Sequence, residues 1–167
     1  DLGPFACVED IPAADISIVT GATDNCGNVT VAFVSDSELT DCSGSITRMY
    51  TISDACGNAD TLVQKITVND NTAPTADPLP DLGPFACLAD IPAADISIIT
   101  GATDNCSSVS VAFVSDSELV GCSGTIIRFY SITDECGNAD TISQNISIND
   151  DVAPTADPLP DLGPFAC

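Results

Sequence analysis

The chain has 167 residues and sets three Lys and Arg against 25 Asp and Glu, for a formal net charge of −22. A field of that sign repels nucleic acid and anionic lipid and favours divalent cations, while a hydrophobic content of 44% is too high for a disordered acidic tail. The absence of His and of any Cys-x-x-Cys pair argues against a zinc site, the competing reading of the cysteines, and rules out histidine acid-base catalysis.

The first element in chain order is the heptapeptide Asp1 to Cys7, which returns at Asp81 to Cys87 and again at Asp161 to Cys167, a period of 80 residues. Copies 1-80 and 81-160 align without a gap, and about three-quarters of their positions are identical. The period exceeds that of solenoid repeats and suits a self-contained small domain. Alternating apolar residues then predict strands over Asp15 to Thr20, through Ile16 and Ile18, and over Val29 to Val34, through Val31 and Phe33. Two further strands follow, Ile46 to Ser53 through Tyr50 and Ile52, and Thr61 to Val68 with Leu62, Ile66 and Val68 on one face. Between them Asp54 to Asp60 carries Gly57-Asn58, which suits a tight hairpin. Asn71 to Pro80 holds three prolines and predicts an extended, semi-rigid linker, part of which could continue into the next module's first strand.

The expected fold class is all-β: tandem immunoglobulin-like β-sandwich modules with two disulfides each, joined by short Pro-rich linkers. The boundaries follow from the repeat: module 1 at 1-70, a linker at 71-80, module 2 at 81-150, a second linker at 151-160 and the start of a truncated third module at 161-167. Eight of the nine cysteines fall four to a module, and Cys167 belongs to the third copy. Even numbers at fixed spacing read as a disulfide framework in an oxidising, extracellular compartment. Four cysteines allow three pairings. Immunoglobulin-like strand order favours Cys7–Cys42 and Cys26–Cys56, with Cys87–Cys122 and Cys106–Cys136 in the second copy. Each would close a loop of about 30 to 35 residues and contribute on the order of 3 to 4 kcal/mol on chain-entropy grounds.

Three motifs taken together, Thr23 to Gly27, Ile46 to Asn58 and Ile66 to Pro74, resemble the hyalin-repeat-like modules of very large bacterial surface proteins, including the adhesins of gliding Bacteroidetes. The resemblance covers essentially a whole module. It departs at Ser107, where the first copy has Gly27, and at Glu135, where it has Ala55. It implies an immunoglobulin-like fold, a secreted or cell-surface location, and a role in adhesion or motility. It also implies O-glycosylation at Asp-Thr followed by an apolar residue, which nominates Thr61 and Thr141; the alternative is a plain strand threonine at each.

Asp24 and Asp54, with their counterparts Asp104 and Asp134, flank cysteines at one pole of each module beside Asn25 and Asn58 or their equivalents, and such oxygen ligands suit Ca²⁺. Asp70 or Asp77 of one module could join Asp104 and Asp134 of the next. The alternative is that these side chains cap turns. Arg48 and Arg128 alternate in step with Ile46 and Tyr50, so each is expected to face the sheet interior and to need a carboxylate partner. Tyr50 and Tyr130 are expected to act as tyrosine-corner anchors. Nothing in the sequence suggests an enzyme. The expected function is a rigid spacer in a long extracellular fibre or adhesin, its partners being identical modules in series. The alternative is a module that binds surface polysaccharide or a neighbouring fibre, since Thr47 and Met49 become the more apolar Ile127 and Phe129. No nucleic acid and no membrane insertion are expected.

Overall fold

The computed structural model describes residues 1–39 and 42–159. The predicted start of a third module, 161-167, lies outside the described residues. The fold is all-β, and the helical segments among the described residues are four single 3-10 turns. Each repeat forms one four-stranded sheet. In the first, β1 (Leu2–Phe5) lies parallel to β4 (Ala59–Asn69), β4 is antiparallel to β3 (Ser43–Ser53), and β3 is antiparallel to β2 (Thr30–Asp36). The second repeats this order with β5 (Leu82–Phe85), β8 (Ala139–Asn149), β7 (Ser123–Asp134) and β6 (Val109–Asp116).

Three of the four predicted strands in a module correspond to β2, β3 and β4. Alternation decides which side chains face inward: Ile46, Arg48 and Tyr50 of β3 and Ile66 and Val68 of β4 are buried, while their neighbours in sequence are not. The β3–β4 register sets Ile46 opposite Ile66 and Tyr50 opposite Leu62. The turn between them closes through Asp54 N–H to the Asn58 carbonyl at 3.0 Å, and Gly57 alone supplies the positive φ, at 90°.

The expected strand at Asp15 to Thr20 is instead a 3-10 turn over Ile16–Ile18. The Asp15 carboxylate accepts from Ser17 N–H at 2.9 Å, a local bond that competes with strand pairing, and both isoleucines stay half exposed. Between the two turns, Ile11 packs on the core and the Pro12 carbonyl bonds Arg48, so this irregular segment covers part of the sheet's inner face. The core is correspondingly thin. Ile46, Ile66 and Val68 form its buried centre, with Leu2, Phe5, Ile11 and Leu39 against it, and the second module repeats the set as Ile126, Ile146 and Ile148 with Leu82, Phe85, Ile91 and Leu119.

The repeated heptapeptide owes its glycine to the edge strand. Gly3 has φ +96°, and a Cβ there would sit 2.5 Å from the Thr67 carbonyl oxygen of β4; Gly83 is held the same way, 2.5 Å from the Ser147 oxygen. Glycine lets β1 lie this close to β4.

Arg48 faces inward as expected and meets its carboxylate. Its Nε and Nη2 donate to the two oxygens of Asp36, each at 2.8 Å, and Nη1 donates to the Pro12 carbonyl at 3.0 Å, tying β2, β3 and the irregular layer together. Arg128 repeats all three bonds with Asp116 and Pro92. The hydrogen bonds to Asp36 and Asp116 raise the pKa of both guanidinium groups.

The tyrosine-corner expectation fails. Tyr50 and Tyr130 are buried, but neither phenol oxygen has a hydrogen-bond partner among the described residues. Each packs instead as a core aromatic, edge-on to Phe33 at 6.2 Å and Phe113 at 6.1 Å. Ile127 and Phe129 lie on the opposite face of β7 from Ile126 and Tyr130 and are half-buried.

Candidate functional site at the module junction

The linker is docked, not free. Thr75 and Thr103 exchange backbone bonds at 2.9 and 2.8 Å, and Asp77 N–H donates to the Thr100 carbonyl at 3.0 Å. Asp77 also accepts from the Thr100 hydroxyl at 3.0 Å. Gly101, at φ +65°, leaves room for the Asp77 carboxylate, which would lie 2.5 Å from a Cβ there. Pro74 is fully buried, and Gln144 of β8 donates to the Pro80 carbonyl at 2.9 Å. Regular pairing of the second module's first strand starts only at Leu82, so the linker does not extend that strand.

This docking carries the Cys7/Cys42 pole of module 1 onto the Cys106/Cys136 pole of module 2. The disulfides are Cys7–Cys106 and Cys42–Cys136, each with Cα atoms 5.2 Å apart and spanning 99 and 94 residues of sequence. These bonds replace the expected Cys7–Cys42, Cys26–Cys56, Cys87–Cys122 and Cys106–Cys136. The expected placement of Cys7 with Cys42 at one pole and of Cys106 with Cys136 at the other fits this geometry. What it overlooked is that the linker presses the two poles together, so that each cysteine meets its partner across the junction. Cys26, Cys56, Cys87 and Cys122 are exposed and free.

A cleft of about 270 Å³ lies over the bridges, between Ala6, Leu39 and Val68 on one side and Ser107 and Glu135 on the other. The two departures of the second copy meet in this loop region. The Ser107 hydroxyl accepts from Glu135 N–H at 3.2 Å, and the Ser108 hydroxyl donates to the Glu135 carboxylate.

Asp70 approaches two other carboxylates beside the bridges. Asp70, at the end of β4, has a carboxylate oxygen within 4.8 Å of one on Asp134, and likewise of one on Asp104. Asp104 caps its own loop, one oxygen accepting from Cys106 N–H at 2.9 Å and from Ser107 N–H at 3.0 Å. These bonds, the Cys106 amide foremost, hold its carboxyl below the ordinary pKa. Asp134 accepts from the backbone and side-chain nitrogens of Asn138, each at 2.8 Å, and the same side chain reaches the Asp70 carbonyl at 3.3 Å.

Of the four aspartates singled out from sequence, Asp104 and Asp134 each lie within 4.8 Å of Asp70 across the junction. Asp24 and Asp54 line one open cleft at the other end of module 1 with Asn58 and Asp60, and among the described residues no set of three metal-ligating side chains closes up there. Both also cap turns, Asp24 through Cys26 N–H at 2.8 Å and Asp54 through Asn58 N–H at 2.8 Å and its side chain at 2.7 Å. The Asn58 side chain is the main cause that lowers the Asp54 pKa. Thr61 and Thr141 are exposed near the hairpin ends of β4 and β8.

The chain is a thin-cored all-β unit, repeated in tandem and cross-linked through its cysteines. Residues 5–68 match the family described as HYR-like domain with 4 cysteines. The four in the matched span are Cys7, Cys26, Cys42 and Cys56. The match supports the hyalin-repeat-like resemblance, and domains of this kind are typically extracellular. No curated protein matches the chain. Among the described residues no helix is long and apolar enough to cross a membrane.

Proposed function

We propose that the chain is a segment of a stiff extracellular spacer in which every module is clamped to the next by two disulfides. The observation that carries this reading is the pair Cys7–Cys106 and Cys42–Cys136. A hinge between two small domains is usually free to move unless its interface is large. Here two covalent rungs, a docked linker and a side-chain bond to Pro80 close the hinge. Such a joint transmits force and direction along an array, which suits a surface fibre or adhesin stalk. Residues that flank a binding cleft would have no need of it.

Translation by one repeat gives the partner of each free thiol. Cys87 and Cys122 stand where Cys7 and Cys42 do, so they fit the second and fourth cysteines of a following copy; Cys26 and Cys56 stand where Cys106 and Cys136 do and fit a preceding one. Each rung forms as two thiols lose two protons and two electrons to a disulfide oxidant. The test uses two variants of the chain in a glutathione redox buffer, both with Cys167→Ser. One carries Cys26→Ser and Cys56→Ser, the other Cys87→Ser and Cys122→Ser. Each alone stays monomeric, and the mixture gives a heterodimer joined through Cys87–Cys26 and Cys122–Cys56. Homodimers in comparable yield, or no heterodimer, refute the head-to-tail ladder.

A second reading, lateral or glycan binding, draws on the exposed Phe33 and Val34 of β2 and Phe113 and Val114 of β6, apolar groups recurring once per module. Binding of the purified chain to a polysaccharide array supports it, and failure across the array leaves the spacer. Glycans on Thr61 and Thr141 suit either reading, and hexose-sized mass increments on these residues test them.

A further inference from the structure

We propose that Asp70 of module 1 and Asp104 and Asp134 of module 2 form a Ca²⁺ site across the junction. The site is composite, with one ligand from the last strand of the upstream module and two from the loops of the downstream one.

The argument starts from unpartnered oxygens. Asp70 is 5% exposed; its Oδ1 accepts from Thr72 N–H at 3.2 Å, but its Oδ2 is buried with no hydrogen-bond partner. Asp104 Oδ1 is buried and unpartnered as well, because both loop amides go to Oδ2. Asp134 is 6% exposed and keeps spare acceptor capacity, since each of its oxygens takes one bond from Asn138. A buried carboxylate oxygen without a donor is costly, and Asp70 lies within 4.8 Å of a carboxylate oxygen on each of two other aspartates.

No basic side chain supplies the missing positive charge. There are three basic side chains in all. Arg48 and Arg128 are committed to Asp36 and Asp116, and Lys65 is exposed within β4, opposite Thr47. The sulfurs nearest the carboxylates belong to Cys106 and Cys136, and as disulfide sulfurs they are not thiolate ligands. The donor set is therefore all oxygen, anionic and irregular, which suits the flexible shell of Ca²⁺ better than the strict octahedron of Mg²⁺, with water completing the coordination.

The repeat provides an internal comparison. Asp150 is the counterpart of Asp70 and is exposed, and Asp54, the counterpart of the buried Asp134, is only half-buried. Asp70 comes within 4.8 Å of Asp104 and of Asp134 because the two modules meet there.

The experiment is thermal unfolding of the oxidised chain in physiological salt with excess Ca²⁺ or with chelator, alongside calorimetric titration of Ca²⁺. Saturating ion raises Tm by about 5–10 °C, and the titration gives one saturable site per chain. Asp70→Asn abolishes both, while in chelator it unfolds no earlier than the parent, because a buried charge has been removed. Asp150→Asn retains the shift. If Asp70→Asn fails to fold, Asp104→Asn and the parent titration decide the matter. Equal Tm with ion and chelator, no saturable heat, or a shift that survives Asp70→Asn overturns the site. None of these results touches the disulfide ladder, which stands or falls on the cross-linking pattern.

Discussion

Two disulfides that interlock across a junction limit how far the chain can be drawn out, and the limit differs sharply from that of module-internal bridges. Cys7–Cys106 and Cys42–Cys136 overlap in sequence. When the oxidised protein is unfolded under tension, the shortest covalent path runs from residue 1 to Cys7, across to Cys106 and on to residue 167. At about 3.5 Å per residue, the roughly 69 residues on that path extend to about 240 Å. Bridges within each module would leave a path through 1-7, 42-87 and 122-167, which at about 99 residues extends to about 350 Å. The reduced chain, free along all 167 residues, extends to about 580 Å.

Force spectroscopy with handles at the two termini, in oxidising buffer and then with a reductant, reads these lengths directly. The expected result is a contour near 240 Å that rises to about 580 Å on reduction. A value near 350 Å would refute the inter-module pairing, and a length insensitive to reductant would refute bridging altogether. The same geometry predicts an equilibrium effect. A loop of about 100 residues contributes on the order of 4.7 kcal/mol on chain-entropy grounds, so even one rung outweighs a short module-internal bridge.

Two further predictions concern the modules themselves. Replacing Arg48 by Ala leaves Asp36 without its fork and the Pro12 carbonyl without its donor; because the Asp36 side chain is a third exposed, the expected loss is about 2–3 kcal/mol, read as a lower urea midpoint at unchanged slope. Arg48→Lys is not expected to restore it, since an ammonium cannot span both oxygens, and full rescue by Lys would refute the bidentate account. The pH dependence follows from Asp54 and Asp104, whose folded pKa values lie below the ordinary one. Their stabilisation is therefore present above the ordinary carboxylate pKa and lost as pH falls through the folded values. Tm should hold level from neutrality to about pH 5 and drop below about pH 4, and Asp54→Asn with Asp104→Asn should flatten that drop; an unchanged acid limb counts against the two caps.

Much of this was legible because strand physics is local. The period-2 runs that gave β2, β3 and β4 needed only alternation, and the inward Arg48 followed from its parity with Ile46 and Tyr50. The segment at Asp15 to Thr20 shows where alternation misleads: Ile16 and Ile18 have the right spacing, yet the Asp15 side chain captures Ser17 N–H and turns the chain. Tyr50 is ambiguous for a related reason, since a buried tyrosine on a strand is equally a corner or a core ring, and the partnerless phenol oxygen together with the edge-on Phe33 distinguishes them.

The junction was legible in its parts but not in its pairing. Sequence placed cysteines and aspartates at the poles, and nominated Asp70 or Asp77 as a visitor from the linker. It could not say that Thr75 would pair with Thr103 and Asp77 with Thr100, the contacts that dock the linker where the two cysteine poles meet. The signal that could have given the answer is the repeat itself. In a tandem array every downstream pole meets an upstream pole of the same composition, so cysteines confined to the poles have partners in the next copy as naturally as in their own. A thin core makes the choice consequential. Bridges within a module would stabilise each bead and leave the string loose, whereas bridges between modules place the covalent constraint at the joint that packing alone would leave weakest.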